Sequence, residues 1–425
     1  MILHKFLCAD LNYYMGNGSM NKKLKHLKKF NQFSKITLMI LTIVLCVNLL
    51  SNSTAFANES LDEPTIASEA AILIEEGSGR VLYAKNPDAL MYPASLTKVA
   101  TAIYAIENGD LEAIATTSEK ARQVDGTRVY LEVGERVSLK KLIQGLLINS
   151  GNDAGVAIAE HLHGSEEKFA RELNAYLKEI GLTDTNFINS HGLFDPEHTT
   201  TARDLALLTQ YAMKNEVFRE VFGTRELKWD GEGWDTTIYT HHRLLLGRPY
   251  EGVTGGKNGY VNQSGQTLIT TAKRGDMSVI AVVLKGATQT EIYNDTVELL
   301  DYAFANYHFA SIPKGEEFTL GERIFVTREE YKFPLVQNEE FKEEMTTEGL
   351  LRIKNQYGDE IAVYPIHEIE IPEIQTTTVD ESELVEKKDD SKKLNAFMVI
   401  SIMMILAGIA VLKNRNRKRH HLKKL

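Results

Sequence analysis

The sequence predicts an exported α/β domain carrying an α-helical insertion, followed by a small β-rich domain and a C-terminal transmembrane helix. Three observations predict it. A strand pair and a helix precede a long stretch of helical periodicity, and strands and a helix follow it, the order of an α/β domain with inserted helices. A basic, then apolar, then small-residue segment opens the chain. An uncharged run with a basic tail closes it. At 425 residues, 43% of them apolar, the chain is long enough for two or three domains and can bury a sizeable core.

Residues 1–57 read as a secretory signal. Lys22, Lys23, Lys25, Lys28, Lys29 and Lys35 precede an apolar run over residues 36–50, and Ala55-Phe56-Ala57 supplies the small-residue site, with cleavage expected after Ala57. That run is about 15 residues, shorter than the usual membrane span. The stretch before Met20 matches no part of such a signal, so Met20 is an alternative start. The main domain is expected over residues 58–310. Two short apolar runs, residues 70–75 and 80–84, flank Glu76-Gly77-Ser78-Gly79 and read as a β-hairpin. A helix is expected from Pro93 to about residue 108. Helical periodicity then runs from about residue 111 to 215, with Leu139, Leu142, Ile143, Leu146 and Leu147 on one face. Strands return at residues 266–271 and 277–284, and a helix follows at 291–306.

Residues 311–375 carry short strand-like runs, such as 323–326 and 360–364, and read as the small β-rich domain. Residues 376–395 are polar and charged and read as a flexible stalk. Residues 396–412 form the expected transmembrane helix, at the lower length limit for one. Residues 413–425 form a basic tail. Positive charge stays cytoplasmic, so the body of the protein is expected on the outer face of a cell membrane that it crosses once.

Charge and cysteine usage exclude whole classes of function. The chain carries −10, while residues 1–57 carry +6 and the tail after Leu412 carries +7, which leaves −23 for residues 58–412. An exported body this acidic does not suit nucleic-acid binding. Both cysteines, Cys8 and Cys46, lie in the targeting segment, so the body has neither disulfides nor thiol chemistry. None of the 12 histidines forms a metal-ligand pattern with a third partner; His241-His242 and His161-x-His163 read as surface or capping residues.

Three short motifs carry chemistry. In Ser95-Leu96-Thr97-Lys98, Pro93 favours a first helical turn, so Ser95 falls near a helix N-terminus with Lys98 on the same face. A serine nucleophile needs a base within hydrogen-bond reach, and a buried lysine can lose its proton to serve as one. The pattern is not specific, because Ser-x-x-Lys recurs at Ser19, Ser138, Ser165 and Ser311. Ser150-Gly151-Asn152 offers a hydroxyl and an amide after an apolar helix, but taken alone it reads as a helix-ending turn. Gly255-Gly256-Lys257-Asn258-Gly259-Tyr260 places a lysine beside glycines on a strand, where it could bind a carboxylate with the backbone approaching the ligand closely, but taken alone it reads as a glycine turn with a solvated lysine.

Taken in order, at a helix start, in a helical insertion and on a strand, the three motifs resemble those of the penicillin-recognising serine enzymes. Within that group the chain resembles most the low-molecular-mass penicillin-binding proteins that are serine-type D-alanyl-D-alanine carboxypeptidases, peptidase family S11. The resemblance runs from about residue 70 to 307, with PASLTK, NSGNDA, HTTTARDLA and GGKNGY as the most similar stretches.

The resemblance implies a β-lactamase/transpeptidase-like fold and the removal of a terminal D-alanine from peptidoglycan stem pentapeptides. It makes β-lactam antibiotics inhibitors that acylate the same serine. It implies Ser95 as nucleophile, Lys98 as general base and Ser150 as a proton relay tuned by Lys257. Asn152 would bind the acyl-side amide. Lys257 and Asn258 would bind the terminal carboxylate, and the backbone N–H groups of Ser95 and Tyr260, beside Gly259, would form the oxyanion hole. Arg243 is a further candidate for positive charge near the carboxylate. Neither metal nor cofactor is implied.

One departure stands out, since Asn258 replaces the threonine of the usual Lys-Thr-Gly. An amide can still donate, but an uncompensated donor to a charged group is worth roughly 1.5–3 kcal/mol, or one to two decades in rate. Two other functions share the machinery: a β-lactamase, and a non-catalytic peptidoglycan- or β-lactam-binding protein weakened by Asn258. An endopeptidase acting on cross-links would use it too. Against the β-lactamase, Glu172-Leu173-Asn174 has Ala170 where the deacylating glutamate would stand.

Overall fold

The computed structural model describes residues 62–369. The expected signal segment and the expected transmembrane helix and tail lie outside those residues. Among the described residues no helix is long and apolar enough to cross a membrane.

The hairpin forms as the sequence predicts, with β1 at Ala70–Glu75 and β2 at Val81–Lys85. Its turn is closed by Glu75, whose carboxylate accepts from the N–H groups of Gly77 and Ser78 and from Ser78 Oγ. The helix expected from Pro93 divides into a 3-10 turn at Ala94–Leu96 and helix α1 at Thr97–Asn108. The insertion contains α2 (Glu119–Gln123), α3 (Leu139–Ile148), α4 (Asn152–His163), α5 (Glu166–Glu179), α6 (Ala202–Ala212) and α7 (Glu216–Phe222). The five leucine and isoleucine positions predicted for one face of α3 are all buried.

Two strand pairs that periodicity did not reveal interrupt and follow these helices. β3 (Ile114–Thr116) pairs with β4 (Arg136–Ser138), and β5 (Glu226–Asp230) pairs with β6 (Asp235–Tyr239). The first pair is three residues a side, too short to show alternation. The second is anchored by the buried Trp229 and Ile238, and a Cβ added to Gly145 of α3 would lie 2.9 Å from the indole.

The chain then builds β7 (Val253–Val261), β8 (Gly265–Arg274), β9 (Met277–Gly286) and helix α8 (Gln289–Asn306). These strands join the hairpin in one antiparallel sheet of order β2-β1-β9-β8-β7. Both faces are covered, and strand periodicity sorts the residues. Ile72, Ile74, Ile280, Val282 and Leu284 face the helical insertion. Ala71, Leu73, Val279, Ala281 and Val283 face α8, against Ile292, Leu299 and Leu300. Each such leucine or isoleucine contributes roughly 1.5–3 kcal/mol when fully buried. Strand β7 is last in the order, so one of its edges is free of strand partners in this sheet.

Beyond α8 come the strands β10 (Tyr307–Ile312), β11 (Glu317–Leu320), β12 (Arg323–Val326), β13 (Tyr331–Val336), β14 (Phe341–Met345), β15 (Leu350–Asn355) and β16 (Glu360–Pro365). They bury a cluster of their own around Phe325, Phe333, Leu351 and Ile353.

Candidate active site

Ser95 occupies the 3-10 turn that enters α1, and that turn is braced from three sides. Ala94 sits at φ 49°, a region that non-glycine residues rarely adopt. Thr97 Oγ1 donates to the Ala94 carbonyl at 2.9 Å, and Thr267 Oγ1 of β8 donates to the Pro93 carbonyl at 3.0 Å. His198 Nδ1 accepts from the Ile188 N–H, which leaves Nε2–H to donate to Thr97 Oγ1 at 2.8 Å. Burial pushes the His198 imidazole down to about 3, so it stays neutral in this role. Gly192 completes the brace, because a Cβ there would lie 1.9 Å from the Ala94 carbonyl oxygen.

Lys98 is fully buried beneath the serine. Its Nζ lies 2.9 Å from Ser95 Oγ, 2.7 Å from Asn152 Oδ1 and 2.5 Å from the His191 carbonyl oxygen. Burial, and next the neighbouring Lys257, push its amine well below the usual lysine range, while Asp153 pulls the other way. A neutral amine has two N–H donors and one lone pair. Asn152 Oδ1 and the His191 carbonyl can only accept. A deprotonated amine donating to both would turn its lone pair toward the Ser95 hydroxyl, 2.9 Å away.

The partners are themselves held. Asn152 opens α4, and its Nδ2 donates to the Asp125 carbonyl at 2.6 Å, which points Oδ1 at Lys98. His191 Nδ1 accepts from the Leu193 N–H, and its Nε2 lies 3.3 Å from Glu166 Oε1. Lys120 lies 3.1 Å from the other Glu166 oxygen. Burial opposes the Glu166 charge, but His191 and Lys120 outweigh it and hold the carboxyl at about 2. Asp153, also near Lys98, accepts from the N–H groups of Val129, Leu131 and Ala154. Both carboxylates are therefore occupied by protein donors.

Of the remaining predicted residues, Ser150 is buried in the turn between α3 and α4 at φ 63°. Lys257 lies on β7, fully buried, with Nζ donating to the Asn258 carbonyl at 2.7 Å. Burial pushes its amine down to about 7. Gly259 brings β7 against the nucleophile, since a Cβ there would lie 2.8 Å from the Ser95 nitrogen and 2.6 Å from Thr267 Oγ1. Tyr260 is exposed and donates to Asn262 Oδ1. Arg243 lines a cavity with Arg248 and Tyr293 at the start of α8. His163 is hydrogen-bonded to Tyr104 Oη, and His242 Nε2 to Thr270 Oγ1.

The competing Ser-x-x-Lys motifs have other work. Ser138 and Ser165 are N-caps of α3 and α5, each accepting from the backbone N–H of the lysine three residues on. Ser311 lies in β10, and Ser19 lies outside the described residues. Sequence reading missed His191, Thr97, Thr267 and His198. His191 acts on Lys98 through its carbonyl, which leaves no side-chain signature.

Because β7 must pass this close to Ser95, the variant Gly259→Ala is expected to fold but to lose most acylation by a fluorescent penicillin, read from gel labelling. A thermal melt unchanged within about 2 °C alongside normal labelling would disprove the constraint.

A serine hydrogen-bonded to a buried lysine, in a domain of antiparallel sheet and inserted helices, defines a penicillin-binding type of serine acyl-enzyme. The sequence profile of the D-alanyl-D-alanine carboxypeptidase family, peptidase S11, matches residues 57–288, more than half of the chain. The chain belongs to that family and is a serine-type D-Ala-D-Ala carboxypeptidase.

Among its relatives, D-alanyl-D-alanine carboxypeptidase DacF of Bacillus subtilis is 35% identical over 278 residues, covering 63% of this chain and 71% of the relative. DacA of Haemophilus influenzae is 31% identical over 278 residues, covering 60% and 67%. Among solved structures, penicillin binding protein 5 from Haemophilus influenzae aligns with a TM-score of 0.64 at 25% identity, covering 73% of this chain and 98% of that one. Penicillin binding protein 6B from Escherichia coli aligns with a TM-score of 0.60 at 26% identity, covering 72% and 97%.

Proposed function

We propose that this carboxypeptidase acts on peptidoglycan stem pentapeptides, with Ser95 as the acylated residue and Lys98 as its base. The observation that carries the assignment is the placing of Lys98 Nζ, buried and 2.9 Å from Ser95 Oγ with atoms that can only accept as its two other partners, so that the deprotonated amine would turn its lone pair toward the hydroxyl. The Ser95 oxygen attacks the carbonyl of the penultimate D-alanine, and its proton passes to Lys98. The oxyanion forms against the backbone N–H groups of Ser95 and Tyr260. The leaving D-alanine takes a proton relayed through Ser150, and its carboxylate rests against Lys257 and Asn258. Asn152 holds the acyl-side amide. Water then hydrolyses the ester, which frees Ser95 and the shortened peptide. Penicillins enter by the same attack, with the lactam carbonyl in place of the peptide's.

Residues 311–375 form, in this reading, a small β-rich domain, a division supported by their separate buried cluster. A single-pass C-terminal helix over residues 396–412 tethers the enzyme to the cell membrane, with the active site on the extracellular face, a reading supported by the uncharged run and the basic tail.

The test is to incubate the detergent-solubilised full chain with a D-Ala-D-Ala-ended pentapeptide and a fluorescent penicillin. D-alanine release, with the penicilloyl adduct mapped to Ser95, is expected. Labelling without D-alanine release would favour a binding protein, rapid penicillin hydrolysis a β-lactamase, and no labelling would defeat the assignment. Asn258→Thr restores the hydroxyl of the usual motif. It is expected to raise kcat/KM for the pentapeptide by up to roughly tenfold, and a fall would show that the amide is the better donor here.

A further inference from the structure

The loop between β6 and β7 folds on itself beside α8. The Arg248 N–H donates to the Arg243 carbonyl at 2.9 Å, and the Leu245 and Leu246 N–H groups both donate to the His242 carbonyl. Gly247 takes the positive φ, 96°, that this closure needs. Arg243 is also fixed to the helix, since its N–H donates to Oη of the buried Tyr293 at 2.9 Å. Arg248 Nη1 donates to Asn294 Oδ1, the next residue of α8, at 3.2 Å. The fold therefore gathers two arginines against the start of one helix.

At that point the protein has a cavity of about 260 Å³, walled by Arg243, Gly247, Arg248, Gln289, Thr290 and Tyr293. None of these walls is acidic, and among the described residues neither guanidinium is paired with a carboxylate. Glu291, the acidic residue of the first helical turn, accepts from the Ala287 N–H and lines a different groove. Two like charges gathered in this way repel each other, and an anion placed between them reverses the sign. The body of the protein is strongly acidic, so long-range attraction does not draw anions to it. Binding here has to come from direct contact.

The donors bordering the cavity suit one class of anion. Arg248 uses one N–H on Asn294, and both guanidiniums keep the others. The Thr290 hydroxyl and the Gln289 amide stand beside them. Thr288 Oγ1 caps the Glu291 N–H, while the N–H groups of Gln289 and Thr290 belong to the helix positions that have no partner within the helix. A carboxylate brings two oxygens to such a set. A phosphate brings three or four, enough to meet two guanidinium forks at once.

We propose that this cavity binds a phosphate group, free or carried as an ester, between Arg243 and Arg248. The site is distinct from the serine chemistry, because none of Ser95, Lys98, Ser150, Asn152 and Lys257 is among its walls.

The test is calorimetric titration of the detergent-solubilised full chain with inorganic phosphate and with the diester glycerophosphoglycerol, at an ionic strength held constant with chloride. Saturable binding at a single site is expected. Tighter binding of the diester would assign the site to esterified phosphate, and tighter binding of inorganic phosphate to the free ion. Arg243→Met and Arg248→Met should each weaken binding about fivefold, the upper range for one exposed charge pair. Lysine at both positions keeps the charge but loses the forks, and should also bind more weakly than wild type. Thermal melts in chloride should be no lower for these variants than for wild type, which reports an intact fold. Lys257→Met should bind phosphate as wild type does. Four results would overturn the site: no saturable phosphate binding by wild type, affinity that survives Arg243→Met combined with Arg248→Met, loss of binding in Lys257→Met, or acetate that competes as well as phosphate.

Discussion

Replacing Lys98 by methionine is expected to lower acylation of Ser95 by about 10²–10⁴-fold, the usual contribution of a positioned general base. Methionine keeps the volume and the apolar stem but has no lone pair of comparable basicity. It leaves Asn152 Oδ1 and the His191 carbonyl without their donor. Each unsatisfied acceptor costs about 1–3 kcal/mol, offset in part because a buried amine no longer has to be desolvated. Ser95→Ala should abolish both labelling and D-alanine release with little change in stability, since the hydroxyl's partner is Lys98 Nζ. Stopped-flow acylation with a chromogenic penicillin, together with thermal melts, separates the two effects. Acylation of Lys98→Met within tenfold of wild type would show that another group takes the proton.

Lys257→Met is expected to reduce kcat/KM for a D-Ala-D-Ala peptide by about 10- to 150-fold, the loss of a charge-assisted hydrogen bond of roughly 1.5–3 kcal/mol. The same substitution changes stability in the opposite sense. Burial brings the Lys257 amine down to about 7 in the folded protein, from 10.5 in the unfolded chain. Between those values the unfolded chain binds more protons, so wild-type stability rises with pH from about 7 to 10.5. The penalty is fully present below pH 7 and gone above pH 10.5. The methionine variant should therefore melt higher at neutral pH and show a shallower rise with pH. Lys98, shifted in the same direction, preserves part of the slope. In catalysis the wild-type KM should climb as pH rises above about 7, where free Lys257 loses its charge, and this climb should vanish in the variant. A KM independent of pH in the wild type would remove Lys257 from carboxylate binding.

Much of the fold was legible because it follows from periodicity. The hairpin, strands β8 and β9, and helices α1, α3 and α8 are long enough, or sharply enough bounded by turn residues, to declare themselves. β3 and β4 were not, at three residues each, and β5 depends on one indole finding Gly145. The site was legible in part. Ser95 and Lys98 sit one helical turn apart, so local geometry alone predicts their contact. Asn152 reaches Lys98 across 54 residues of sequence and His191 across 93. The first is recognisable by its motif, and the second acts through a backbone atom that every residue possesses.

The reaction class was written in the chain before it folds, because the order and type of the three motifs are chemical information. So were the acidic body and the charge pattern of the two ends. Five Ser-x-x-Lys motifs, by contrast, differ in sequence only by their company. Tertiary structure chose among them: at Ser138 and Ser165 the hydroxyl meets a backbone N–H, whereas at Ser95 it meets a buried amine. The physical reason is desolvation. A lysine on a surface helix keeps its proton and serves as a solvated charge. At Lys98, burial in the packed insertion, and next the positive charge of Lys257, disfavour the ammonium form, which suits the residue to the proposed role of base.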